Sequence, residues 1–147
     1  MTQAKRILLG EDDPRDAELT LIGLSENGLA NHVVVVEDGV AVMDYLLRRG
    51  RFAERAEGNP VVVLLDVKMP KLDGIQVLRA IRANPQLPLI PVVMLTSSGE
   101  QRDLVECYTL GVNAYVVKPV HFEEFQRAVK ALGMFWGFIN QAPPSAP

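Results

Sequence analysis

The sequence predicts an α/β fold: an open, doubly wound, five-stranded parallel sheet with helices on both faces. Short apolar runs bounded by turn residues recur at 7–9, 33–36, 61–65, 92–95 and 114–117, the pattern of strands buried on both sides. Between and after them, apolar or small residues return every three or four positions, which is the helical period. Strict βα alternation needs right-handed crossovers, and these lay the helices back on the sheet.

Taken in order, Ile7-Leu8-Leu9 leads into a helix with Ala17, Leu21 and Leu24 on its inner face, ended by Asn27-Gly28. Val33-Val34-Val35-Val36 precedes a helix with Val40, Met43 and Leu47 inward, closed at Gly50. Residues 50–60 read as a long loop whose Arg51 and Arg55 are expected in solvent. The run Val61-Val62-Val63-Leu64-Leu65 is followed by a helix carrying Gly74, Val77, Leu78 and Ile81, which stops at Asn84-Pro85. A Pro-rich loop at 84–91 precedes the fourth strand, and its helix presents Leu104, Cys107 and Tyr108 before Gly111. After the fifth strand come Phe122, Phe125, Val129 and Leu132. Glycine just past a helix end relieves the left-handed cap, so these stops have a mechanism.

At 147 residues the chain is about one domain. Hydrophobic residues make up 48% and charged residues 22%, enough apolar material for a real core. With 15 Lys+Arg against 18 Asp+Glu, the net charge of -3 lacks the basic excess that displaces counterions from nucleic acid, so no nucleic-acid partner is expected. A lone cysteine, Cys107, fits a reducing compartment. The N-terminus lacks a signal-peptide apolar stretch, and no run approaches the ~20 apolar residues that span a bilayer. The expectation is a soluble cytoplasmic protein with no membrane partner.

In open α/β sheets, ligands bind beyond the carboxyl ends of the strands. There the chain places Glu11-Asp12-Asp13, Asp66, Thr96-Ser97-Ser98 and Lys118-Pro119. Each cluster has a plainer role by itself. Asp13 before Pro14, and Asp73, suit helix N-caps; a Thr after a strand is usually a turn residue and a Lys a solvated one. Their joint placement at one edge changes the reading. Asp66 ends the most apolar run of the chain, where an uncompensated carboxylate costs several kcal/mol.

Carboxylates of Glu11, Asp12 and Asp66 converging at one edge repel each other, and a hard divalent cation removes the conflict. Mg2+ suits such a site because it accepts one or two carboxylates, keeps waters and uses phosphate oxygens, although the acids alone leave the metal open. Lys118 offers a point charge and Thr96 a hydroxyl to phosphoryl oxygens. Phosphoryl transfer needs mainly positioning and charge neutralisation, and a carboxylate can be its nucleophile. His32 and His121 lie outside the cluster, so the phosphoryl group must come from another molecule.

Glu11-Asp12-Asp13-Pro14, Leu65-Asp66-Val67-Lys68-Met69-Pro70 with Asp73-Gly74, Leu95-Thr96-Ser97 and Tyr115-Val116-Val117-Lys118-Pro119 resemble the receiver domain of two-component response regulators, over about residues 5–132. The resemblance implies a flavodoxin-like strand order 2-1-3-4-5. It implies that Asp66 takes a phosphoryl group from the phosphohistidine of a sensor histidine kinase. Asp12 would ligate Mg2+ directly, Glu11 through water, and the Lys68 carbonyl would be a further ligand. Thr96 and Tyr115 would form the switch pair, and Lys118 would bridge phosphoryl group and acid. The Lys118-Pro119 bond is expected cis, since proline lowers that penalty to about 0.5–1 kcal/mol. Lys68 and Ser98 stand where receiver side chains overhang the phosphoryl group, and the Lys68 side chain is expected to alter the aspartyl-phosphate lifetime.

Residues 1–133 are read as the receiver and 134–147 as an apolar, proline-tipped extension. From Ala131 onward there is no charge, while Phe135, Trp136, Phe138 and Ile139 are apolar and Trp136 is the sole tryptophan. Such a segment is expected to pack on something, and a homodimer contact through these four residues is the favoured reading. With the long 50–60 loop and the Cys107-Tyr108 stretch, the tail resembles single-domain regulators that partner phytochrome-type sensor kinases. Too little chain follows the last helix for a DNA-binding or catalytic output domain, so output by protein contact is expected.

Three other readings compete. A phosphatase of the haloacid-dehalogenase type needs a second acid two residues past its nucleophile, where this chain has Lys68. A nucleotide-binding domain needs a Gly-rich loop after the first strand, which is missing. A pseudo-receiver that only scaffolds is disfavoured by the intact Glu11, Asp12, Asp66, Thr96 and Lys118.

Overall fold

A computed structural model describes residues 5–87 and 89–144. Among them, β1 (Ile7–Gly10), β2 (Val33–Val36), β3 (Val62–Leu65), β4 (Val92–Thr96) and β5 (Ala114–Val117) form one parallel sheet in the order β2-β1-β3-β4-β5. The crossovers are α1 (Pro14–Ser25), α2 (Gly39–Leu46), α3 (Gly74–Ala83) and α4 (Gln101–Thr109), and α5 (Phe122–Met134) follows the last strand. Both the fold class and the strand order match the sequence reading.

Strand alternation divides the core in two. Leu8, Val63, Leu65, Val92 and Met94 face α2, α3 and α4, packing with Val42, Leu78, Ile81 and Cys107. Ile7, Leu9, Leu64, Val93 and Leu95 face α1 and α5, packing with Leu24, Phe125 and Val129. Leu64 and Leu65 are 1% and 0% exposed on opposite faces of β3. Each withdraws a side chain worth roughly 1.5–3 kcal/mol of transfer free energy.

Helix starts follow their capping chemistry. The Asp13 carboxylate accepts from the Arg15 and Asp16 amides ahead of Pro14, and Asp73 and Gln76 form a reciprocal capping box on α3. Gly74 is required by close approach: a Cβ there would lie 2.2 Å from the Asp66 carbonyl oxygen.

Three predicted inward positions turn outward. Val40 is exposed because Asp38 caps α2 at the Ala41 amide and seats Gly39, Ala41, Val42 and Tyr45 inward instead. Tyr108 lies at the rim of α4, where Cys107 takes the fully buried place, and Phe122 opens α5 beyond the sheet. Arg55 also departs from expectation. Its guanidinium lies 4.2 Å from the Tyr45 ring centroid and donates to the carbonyls of Tyr45, Ala56 and Gly58, so it ties the long loop to α2. Arg51 is exposed as expected, paired with Glu37.

The described part of the tail, residues 134–144, folds back on its own domain; residues 145–147 of the predicted extension lie outside the described residues. A single π-helical turn, Phe135–Ile139, prolongs α5. Trp136 is 9% exposed within the core shared with α1 and α5, a correction to its placement in an interface, because the added turn rotates the indole inward. Lys5 Nζ donates to the Gly137 carbonyl and lies 5.3 Å from the Phe138 ring centroid. Phe135, Phe138 and Ile139 remain exposed. Among the described residues no helix is long and apolar enough to cross a membrane.

Candidate functional site

The sheet order brings β1, β3, β4 and β5 side by side, so the residues after them meet at one edge. Asp66 follows β3 and is 8% exposed, and both its oxygens are engaged. Oδ1 accepts from Thr96 Oγ1 at 2.7 Å and from the Lys68 amide at 3.1 Å. Oδ2 accepts from Lys118 Nζ at 2.9 Å. A buried carboxylate is therefore held by a hydroxyl, an amide and an ammonium, which compensates its desolvation.

Lys118 is the hub. Its Nζ donates to Glu11 Oε1 at 2.5 Å, Asp16 Oδ2 at 2.8 Å and Asp66 Oδ2 at 2.9 Å, and its side chain is 7% exposed. Burial by itself would lower its pKa, but the three carboxylates outweigh that and hold it above its ordinary value. Burial pushes the Glu11 carboxyl up to about 7, against the opposing pull of the Lys118 hydrogen bond and charge.

A second chain of bonds runs outward from Thr96. Its Oγ1 accepts from the Ser98 amide at 3.2 Å while donating to Asp66. The half-buried Tyr115 donates its hydroxyl to the Ser98 carbonyl at 2.7 Å, and Ser98 Oγ donates to Asp103 of α4 at 2.7 Å. The proposed switch pair is thus joined through Ser98. Burial raises the Tyr115 pKa, so the phenol stays protonated as a donor.

Of the predicted residues, the fold brings together Glu11, Asp66, Thr96 and Lys118, with Tyr115 one link away. Asp12 is exposed beside them, and the Lys68 side chain is exposed although its amide reaches Asp66. Glu11, Asp16 and Asp66 converge on the Lys118 ammonium, and among the described residues no three carboxylate, imidazole or thiol side chains form a ready-made ion site. The Lys118–Pro119 bond is trans, contrary to the expected cis; the described chain has no cis peptide. The sequence reading missed Asp16. An acid three residues past the cap Asp13 was the available signal, and it reads equally well as a partner for the helix dipole.

The chain matches the response regulator receiver domain over residues 7–130. Response regulator Rcp1 of Synechocystis sp. is 35% identical over 90% of this chain and 88% of that protein. The Mn(2+)-bound form of Rcp1 superposes with TM-score 0.87 at 34% identity, covering 95% of this chain and 99% of that one. The phosphorylated cyanobacterial phytochrome response regulator RcpA gives TM-score 0.89 at 35% identity, with 96% and 99% covered. Bacteriophytochrome response regulator RtBRR is 56% identical, with TM-score 0.76 and 97% and 86% covered. With the strand order, these matches show that the chain belongs to the receiver domains of two-component response regulators, related to the phytochrome-associated ones, which signal through phosphorylation and protein contact rather than by turning over a substrate.

Proposed function

We propose that Asp66 accepts a phosphoryl group from the phosphohistidine of a phytochrome-type sensor histidine kinase, and that the protein signals in the cytoplasm by contact with other proteins. The observation that carries this reading is the clasp on Asp66: Thr96 Oγ1 on one oxygen at 2.7 Å and Lys118 Nζ on the other at 2.9 Å. An Asp66 oxygen attacks phosphorus, a P–O bond forms, and the P–N bond of the phosphohistidine breaks as the imidazole leaves. Lys118 and Thr96, released from the carboxylate, bond the phosphoryl oxygens where charge accumulates. As the Thr96 hydroxyl moves, Tyr115 follows through Ser98 and turns inward. The exposed Lys68 side chain, two residues past Asp66, tunes attack by water on the product.

The donor set fits a hard divalent cation, Mg2+ by preference: Asp12 and Asp66 would ligate it directly, Glu11 would reach it through water, and the Lys68 carbonyl would add a further oxygen. When bound, such an ion neutralises charge on the transferring group. RcpA in its phosphorylated form and Rcp1 with Mn(2+) are relatives that support both halves of this reading. The 134–147 extension serves as a homodimer contact through its exposed Phe135, Phe138 and Ile139. The net charge of -3 favours protein over nucleic-acid partners.

The test is incubation with Mg2+ and acetyl phosphate, followed by intact-mass spectrometry. One added phosphoryl group in the wild type and none in Asp66→Asn is the expected result. An unlabelled wild type, or label retained in Asp66→Asn, overturns the assignment.

A further inference from the structure

We infer that Asp16 is a positioning residue for phosphoryl transfer: from the first turn of α1 it holds the Lys118 ammonium in place while the other carboxylates change partners. The inference rests on the assignment of Asp66 as phosphoacceptor.

A lysine ammonium has three N–H donors. Here all three are spent on carboxylates, at 2.5 Å to Glu11, 2.8 Å to Asp16 and 2.9 Å to Asp66. Two of these acceptors have other work during transfer. An Asp66 oxygen enters the new P–O bond, and Glu11 belongs to the oxygen set that fits a cation. Asp16 has neither task. Its carboxylate can therefore keep its bond to Lys118 throughout, leaving the freed N–H groups directed at the phosphoryl oxygens.

The mounting of Asp16 suits that part. Its amide donates to the Asp13 cap at 3.3 Å, and its carbonyl accepts from Thr20 Oγ1 at 2.8 Å, so the residue is fixed within the helix. α1 packs on α5 through Leu24, Phe125 and Val129, on the opposite side of the sheet from α4. A shift along the Thr96–Ser98–Asp103 chain therefore leaves Asp16 where it is. Side chains held on rigid elements position a reacting group better than those on loops. Asp16 also shares with Lys118, Pro119 and Phe122 the wall of a cleft that opens to solvent beside the site. Its side chain is 32% exposed, against 3% for Glu11, so it reaches the solvent of that cleft where Glu11 does not.

The experiment uses the full chain with Mg2+ and acetyl phosphate. Asp16→Asn keeps the shape and removes the charge; it is expected to slow phosphoryl uptake about tenfold, less than the roughly hundredfold cost of a 1 Å misplacement because two other carboxylates still hold Lys118. Asp16→Glu, which restores a carboxylate, is expected to recover most of the rate. In a Lys118→Ala background, Asp16→Asn is expected to add nothing, because residues acting through one group are not additive. The Lys118 Nζ signal in NMR is expected to be sharp in the unphosphorylated wild type and to broaden by exchange with water in Asp16→Asn. A wild type that labels while Asp16→Asn labels equally fast overturns the inference, as does a deficit that persists without Lys118. An unlabelled wild type instead defeats the Asp66 assignment, and an unchanged Nζ signal then still rejects Asp16 as the holder of Lys118.

Discussion

Glu11 is pulled two ways: burial favours its neutral form, and Lys118 favours its carboxylate. Burial wins, and the group moves from 4.5 to about 7. Between those values the folded chain keeps a proton that the unfolded chain has released, so stability falls as pH rises. The contribution is fully present below about pH 4.5 and is lost as pH passes about 7. The melting temperature is expected to decline from about pH 5 to about pH 8, with a flatter profile in Glu11→Gln. Lys118 does not offset this, since its raised pKa yields stability that is lost only in alkali. At this scale Asp66, Thr96 and Lys118 were readable because each ends a strand and strand ends share an edge. Asp16 was not, because its bond to Lys118 spans 102 positions and local sequence shows only a helix-start acid.

Elements were the most legible part of the chain, since four-residue apolar runs between turn residues have little else to become. Helix faces were less so. Val40 is one position off the inner face, and the Asp38 cap, not the apolar spacing, sets that rotation. The contact between β3 and α3 was also invisible, although it decides where the phosphoacceptor sits. Gly74 presses on the Asp66 carbonyl and donates its amide to the Val67 carbonyl at 2.8 Å. Gly74→Ala forces those two backbones apart. A loss of about 3 kcal/mol of unfolding free energy in urea denaturation, at the upper end of ordinary single substitutions, is expected, with phosphorylation slowed as Asp66 shifts.

For the molecule as a whole, the sheet order followed from the family resemblance, while the path of the tail could not be read from composition. An uncharged aromatic segment signals burial without saying in whose core. The structure divides it: Trp136 in its own domain, Phe138 and Ile139 outside. Two substitutions should therefore behave differently. Phe138→Asp with Ile139→Asp is expected to convert a dimer to a monomer in light scattering while leaving the melting temperature nearly unchanged. Trp136→Ala is expected to cost about 3–5 kcal/mol of stability, as for other large-to-small core changes, whatever the oligomeric state. A double-Asp variant that stays dimeric places the contact elsewhere.

Cys107, the chain's single sulfhydryl, is fully enclosed between α4 and the sheet, and burial pushes it to about 11. Only the thiolate attacks an electrophile, so a maleimide dye meets a silent protein until that helix lifts. The native chain thus carries its own clock for breathing of the face beside Ser98 and Asp103, readable without an engineered label.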